Sequence, residues 1–144
     1  MSKGNTADLD RAIVGVLRAD AALLAIASDG VYLDIVPQGR SRYVLVTLID
    51  ASDAPEFGRT AYETKAYSVL VIARSPDYGA VDVDQAAFRV HELLHDQSIP
   101  VPAPYALLSC IRTRPIRRTE HDAVDPSIYW LTRGGEYQLQ ATTE

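Results

Sequence analysis

The residues with the most chemical promise are His91-Glu92-Leu93-Leu94-His95, which match the zinc-protease pattern HExxH letter for letter. In that pattern two histidines one helical turn apart hold the metal, and the glutamate takes a proton from the metal-bound water. The run sits in the clearest helix of the chain, expected from a cap at Asp82 or Asp84 to about Asp96, with an apolar stripe of Val83, Ala86, Ala87, Val90 and Leu94. That stripe defines the buried side; His91 and His95 fall on its flank, and Glu92 lies nearly opposite, toward solvent. Ser98 and Val101 stand where the metzincin continuation has Gly and His, and the other possible donors, Glu120 and His121, belong to a loop beyond a later strand. A chain of this size also has little left with which to build a substrate cleft. Paired surface histidines are therefore the reading adopted, with no catalytic residue, metal or cofactor expected. A small HExxH zinc-dependent hydrolase using His91 and His95 is kept as an alternative.

The second constellation is Arg112-Thr113-Arg114-Pro115-Ile116-Arg117-Arg118, four arginines with no acid between them. On a strand Arg112 and Arg114 project from the same face, so the run offers a basic stripe for DNA phosphates or for acidic loops of a neighbouring subunit, such as those carrying Asp50, Asp53 and Glu56. No aromatic interleaving marks a nucleic-acid platform. Gly134-Gly135 lacks the Lys-Ser/Thr and helix of a phosphate loop and reads as a bulge in the last strand. Scattered Ser, His and Asp give no triad. Tyr43, Tyr67, Tyr105 and Tyr129 occupy strand positions and are expected in the core or at sheet edges.

The elements that must position these residues follow from periodicity. After a tail of about eight residues, Leu9, Ile13, Val16 and Leu17 recur at helical spacing. Asp20 opens a second short helix with Leu23, Leu24 and Ile26, closed by Asp29-Gly30. Val31–Val36 reads as a strand stopped by Pro37-Gln38-Gly39, and Tyr43–Ile49 as a central strand buried on both faces. Residues 50–61 read as a polar loop with a flexible tip before β character resumes from Tyr62 to Ala73. Beyond the HExxH helix, the proline-rich run 99–104 reads as an extended connector. Strands at Tyr105–Ile116 and Ile128–Leu139 then flank a charged loop, 118–127. The order α-α-β-β-β-α-β-β predicts a single α+β domain, an antiparallel sheet with long hairpins and one main helix laid across a face.

Composition agrees with such a domain. The 144 residues are 47% apolar and 23% charged, enough to bury a core without staples. The lone Cys110 lies in an alternating apolar run and reads as a small buried hydrophobe suited to a reducing cytosol. A net charge of −5 argues against nucleic-acid binding by the whole surface. No stretch reaches membrane-span length and the N-terminus lacks a signal-peptide core, so a soluble, unexported protein with no membrane partner is expected.

The element order resembles that of the tail-completion or tail-terminator proteins of long-tailed bacteriophages, the head–tail joining components of the neck. The residues carrying the likeness are Ala19-Asp20-Ala21-Ala22-Leu23 at the end of the opening helix, Val31-Tyr32 starting a strand, Pro37-Gln38-Gly39 ahead of Tyr43-Val44, and Ile128-Tyr129-Trp130-Leu131 in the closing strand. The resemblance spans about residues 9–139. It implies a hexameric ring that caps the tail tube, halts its polymerisation and joins it to the head connector or stopper. Its partners would then be copies of itself, the tube protein, the connector, and DNA passing through the lumen without sequence specificity. Such a subunit would be made in the bacterial host cytoplasm and end at the head–tail junction of a virion. Ring neighbours meet head to tail through two different surfaces, so the interface or lumen candidates are Asp53, Glu56, Phe57 and Arg59 in the first loop and Arg112, Arg114, Arg117 and Arg118 in the basic run. A generic α+β interaction module is the remaining alternative.

Overall fold

The computed structural model describes residues 7–55, 61–75 and 79–143. The elements come in the expected order: α1 (Ala7–Arg18), α2 (Ala21–Ile26), β1 (Val31–Leu33), β2 (Arg42–Pro55), β3 (Ala61–Ser75), α3 (Ala80–Leu94), β4 (Tyr105–His121) and β5 (Tyr129–Thr143). The strands form one sheet in the order β1-β2-β3-β5-β4, antiparallel throughout except where β1 runs parallel to β2. All three helices lie on one face, giving a single two-layer α+β domain. Among the described residues no helix is long and apolar enough to cross a membrane.

The helix side is fixed by two periodicities meeting. Leu9, Ile13 and Leu17 recur every four residues in α1, Val83, Val90 and Leu94 recur at spacings of seven and four along α3, and all are fully buried. Beneath them lie alternate strand residues: Val44 beside Val71, Val46 beside Val69, and Tyr67, Tyr137 and Leu139. Each such aliphatic side chain contributes about 1.5–3 kcal/mol by leaving water, so this layer is the main source of stability. Polar ties lock the helices in register. Asp20 caps α2 by accepting the Leu23 N–H at 2.9 Å and also accepts the Arg89 guanidinium of α3 at 2.7 and 2.9 Å. Arg18 at the end of α1 donates to the Val31 carbonyl at 2.8 and 3.1 Å. The buried Lys65 ammonium lies 2.8 Å from Asp10, which also accepts the Tyr67 hydroxyl, so α1 is joined to the middle of β3.

Several boundaries differ from expectation, each for a physical reason. β1 ends at Leu33, because Asp34 takes φ 64 and turns the chain, leaving Ile35 exposed. β2 is covered on one face, not both: Val44 and Val46 are buried under the helices while Tyr43, Leu45 and Thr47 on the opposite face are half-buried. Residues 50–55 are strand and not loop, since Asp50 to Pro55 pair with Ala66 to Ala61, which in turn pair with β5. Polar side chains misled there, because a ladder is held by backbone groups and needs no apolar residues at a sheet end. Residues 118–121 are likewise paired, to Thr132–Tyr129, and the true loop is 122–128. The helix starts at Ala80 with Gly79 at the cap and no side-chain cap bond, so Asp82 and Asp84 lie inside it. Finally, the register shifts lie in β4, between Leu107 and Ser109 and between Arg112 and Arg114, and in β2 between Leu48 and Asp50, while β5 runs through Gly134-Gly135 in unbroken register. Those glycines serve close approach instead: a Cβ on Gly134 would sit 2.1 Å from the Val69 carbonyl oxygen, and one on Gly135 2.8 Å from that of Arg114.

Candidate functional site

Structure assigns the two helix histidines ordinary positions on the flank of α3. Their rings stack with centroids 4.5 Å apart, and His91 Nδ1 lies 3.4 Å from the Tyr137 hydroxyl of β5. Burial, then the nearby Arg112 guanidinium and His95, push the His91 pKa down. His95 closes the helix, and its Nδ1 accepts the Arg112 backbone N–H at 3.0 Å. Glu92 points outward as the wheel predicts, 46% exposed and 3.6 Å from Arg89. Glu120 and His121 sit at the far end of β4 from Arg112, with the His121 ring against Tyr129 and its Nδ1 3.1 Å from the Pro126 carbonyl. The HExxH letters thus bring together a stack, a helix stop and a tie to β4, and leave the other two donors a strand's length away.

The arginine run is split, which corrects the expectation of a shared face. Thr113 is the extra residue of the second β4 bulge, so Arg112 pairs with Tyr137 on the helix side while Arg114 pairs with Glu136 on the open face, where their side chains meet at 2.5 Å. Past the bulge the alternation continues: Arg117 lies on the helix side, 3.6 Å from Asp84, and Arg118 pairs opposite Thr132. One extra residue has turned a possible stripe into charge on both faces. Arg112, Arg117, His91, Phe88 and Ile116 line a groove of about 470 Å³ between α3 and β4, with Phe88 62% exposed at its edge. Asp84 and Arg133 form its polar floor, the buried Arg133 donating to Asp84 at 3.1 Å and to the Arg118 carbonyl at 2.7 Å. Sequence reading missed this pair. The available signal was an arginine in the alternate position otherwise held by Leu131, Tyr137 and Leu139.

Of the first-loop candidates, Asp53 falls in β2 opposite Glu63, and Glu56, Phe57 and Arg59 lie outside the described residues. The loop 122–128 is knit by its own bonds: Asp122 accepts the Trp130 indole N–H at 2.8 Å and the Val124 and Asp125 N–H groups at 3.0 Å, which hold its carboxyl below the usual range.

The sheet edges are the most informative surface. The outer edge of β4 is tied at its middle, where the Cys110 carbonyl accepts the Asp96 N–H at 2.7 Å and the Arg112 N–H goes to His95. From Arg114 to His121 no strand among the described residues pairs with that edge. On the other side, β1 pairs only with Val44–Val46, so no strand among the described residues pairs with the outer edge of β2 from Leu48 to Pro55, where the Ala51 N–H donates to the Asp50 carboxylate at 2.9 Å. The β4 stretch carries Arg114, Arg117 and Arg118 against one acid, Glu120, and the β2 stretch carries Asp50 and Asp53 with no basic residue.

No protein-family model and no curated protein sequence matches the chain. Among solved structures, a chain of the virion of a native gene transfer agent particle superimposes with a TM-score of 0.70 at 22% identity, over 96% of this chain and 99% of that one. A second solved chain aligns over 98% of this protein at 15% identity, with a TM-score of 0.48 that carries no weight. At these identities the first likeness establishes a shared fold, over practically the whole of both chains.

Proposed function

We propose that this protein is a structural subunit of a phage-like virion, assembling as a hexameric ring at the head-proximal end of a tail tube, where it ends tube growth and joins the tail to the head connector. The observation that carries this reading is the fold shared, end to end, with a chain of a gene transfer agent virion. The likeness covers 96% of this chain and 99% of that one. Open edges on two different sides of the sheet support a head-to-tail arrangement, the geometry from which rings are built. The exposed Phe88, Val81 and Ile49 add apolar area of the kind that contacts between subunits cover. DNA would pass through such a ring without sequence recognition. The division of the arginines between two faces makes any DNA contact weak and salt-sensitive.

The test is assembly. Light scattering and negative-stain imaging of the purified protein should show hexamer mass and six-fold rings, and coexpression with the cognate tube protein should yield tubes of limited length capped at one end. Unlimited tubes without caps, together with a persistent monomer at high concentration, would overturn the proposal.

A further inference from the structure

The two open edges are complementary, and we infer that they are the two halves of one subunit contact: the Leu48–Pro55 edge of β2 in one copy adds as an antiparallel strand to the Arg114–His121 edge of β4 in the next. This rests on the ring reading above and names the surface through which it forms. Edge strands present a row of unused backbone donors and acceptors, and another chain's strand satisfies them without any special side chain. The free stretches are well matched in length, one bounded by the end of β1 pairing and the other by the His95 and Asp96 ties.

Charge decides between the pairings the backbone would allow. Arginines on an exposed edge also serve simply to keep strands apart, and Pro115 on β4 fits that protective role. Protection alone, however, calls for no particular sign, whereas here three arginines, Arg114, Arg117 and Arg118, outnumber the single acid Glu120 on β4, while the charges on the β2 stretch, Asp50 and Asp53, are both acidic. Arg114 and Arg117 also face Glu136 and Asp84 within the subunit, which leaves Arg118 as the arginine to be met from outside. A two-fold contact of β4 with β4, or of β2 with β2, sets like charges against each other; β2 with β4 sets opposite charges together. The guanidinium of Arg118 has no carboxylate partner among the described residues, and Asp50 is exposed. The arrangement therefore selects a head-to-tail contact over a symmetric dimer. Strand direction agrees, since β2 and β4 run in opposite senses within one sheet. Register adds a consequence. Leu48 lies level with Tyr67, Tyr137 and Arg112, so the free half of β2 and the free half of β4 occupy opposite ends of the sheet. Joining them offsets successive copies by roughly 25 Å along the strands at about 3.3 Å per residue, so closure requires strands inclined to the ring axis.

Two charge-reversed proteins test this, Asp50→Arg with Asp53→Arg, and Arg114→Glu with Arg118→Glu, both confirmed as folded by circular dichroism. Each alone should need at least about tenfold more protein to assemble than the parent. Mixed in equal amounts they should assemble within about twofold of the parent, because every contact in an alternating ring again joins opposite charges. Hydrogen exchange should slow on assembly at the outward-facing, alternate amides within 116–121 and 48–54, while the amides already bonded to β5 or β3 and the Arg112 amide, already bonded to His95, stay unchanged. Reversed proteins that form rings as readily as the parent would overturn the edge contact and leave the ring standing. Failure of the parent to form rings at any concentration, alone or on tubes, would overturn both. Loss of assembly in each variant without recovery on mixing would also overturn the edge contact.

Discussion

Two glycines that look alike in the sequence should respond oppositely to replacement by alanine. In Gly134→Ala the new methyl would lie 2.1 Å from the Val69 carbonyl oxygen and 3.0 Å from the Leu70 Cα, both backbone atoms of the neighbouring strand. Relief means parting β3 from β5 where Leu70 pairs with Gly134 and Val69 with Gly135. Such overpacking costs about 1–3 kcal/mol, and each ladder hydrogen bond weakened costs about 1 kcal/mol more. Against this, alanine restricts the unfolded chain and returns about 0.4–1 kcal/mol. The net is a loss of about 2–4 kcal/mol, which at a urea slope near 2 kcal/mol/M lowers the unfolding midpoint by about 1–2 M. Gly15, exposed in the interior of α1, has nothing within 4 Å of its would-be Cβ. Gly15→Ala therefore gains helix propensity with no steric cost and should raise stability by about 0.5–1 kcal/mol. Urea titration followed by far-UV circular dichroism measures both. A Gly134→Ala midpoint equal to or above that of the parent, or a shift of the two variants in the same direction, would refute the packing described for β5.

Acid should destabilise the protein below about pH 4. Asp29 is held below the usual carboxyl value of 3.8, first by the Ser41 N–H at 2.8 Å and also by the Arg42 N–H at 3.1 Å, and Asp20 is held low chiefly by Arg89. A depressed folded pKa contributes stability that is present above the unfolded value and lost as pH falls through the folded one, so these two carboxyls should lower the urea midpoint below about pH 4, in addition to the decline that His91, whose pKa is also pushed down, brings as pH falls below about 6.5. Asp29→Asn should lower the midpoint at neutral pH and flatten that acid slope; an unchanged slope would remove Asp29 from the account. Cys110 is buried and its thiol is pushed up to about 12, so a disulfide reagent at pH 8 should modify the native protein at the rate of unfolding and the denatured protein at once. Because His95 Nδ1 already accepts the Arg112 N–H, protein made without a histidine tag is expected to carry no stoichiometric zinc by elemental analysis; one zinc per chain, lost on His91→Ala, would overturn the reading of these histidines as an ordinary surface pair.

Element order, fold class and most of the core were legible in the chain itself, because helical and strand spacing of apolar residues are local signals that tertiary packing here reinforced. Leu9, Ile13, Leu17, Val83, Val90 and Leu94 are buried where their periodicity placed them, and Cys110 is buried as its alternating run implied. Strand ends were less legible wherever polar residues pair through the backbone alone, as in 50–55 and 118–121.

What only the tertiary structure decided is which distant segments share an edge or a face. Residue types give no sign that β5 inserts between β3 and β4, that Thr113 bulges and separates Arg112 from Arg114, or that His95 spends its free nitrogen on a strand. Spacing along a chain predicts how one element meets water and core; pairing between elements depends on backbone groups that every residue carries alike, and so only the assembled sheet reveals which edges are left open.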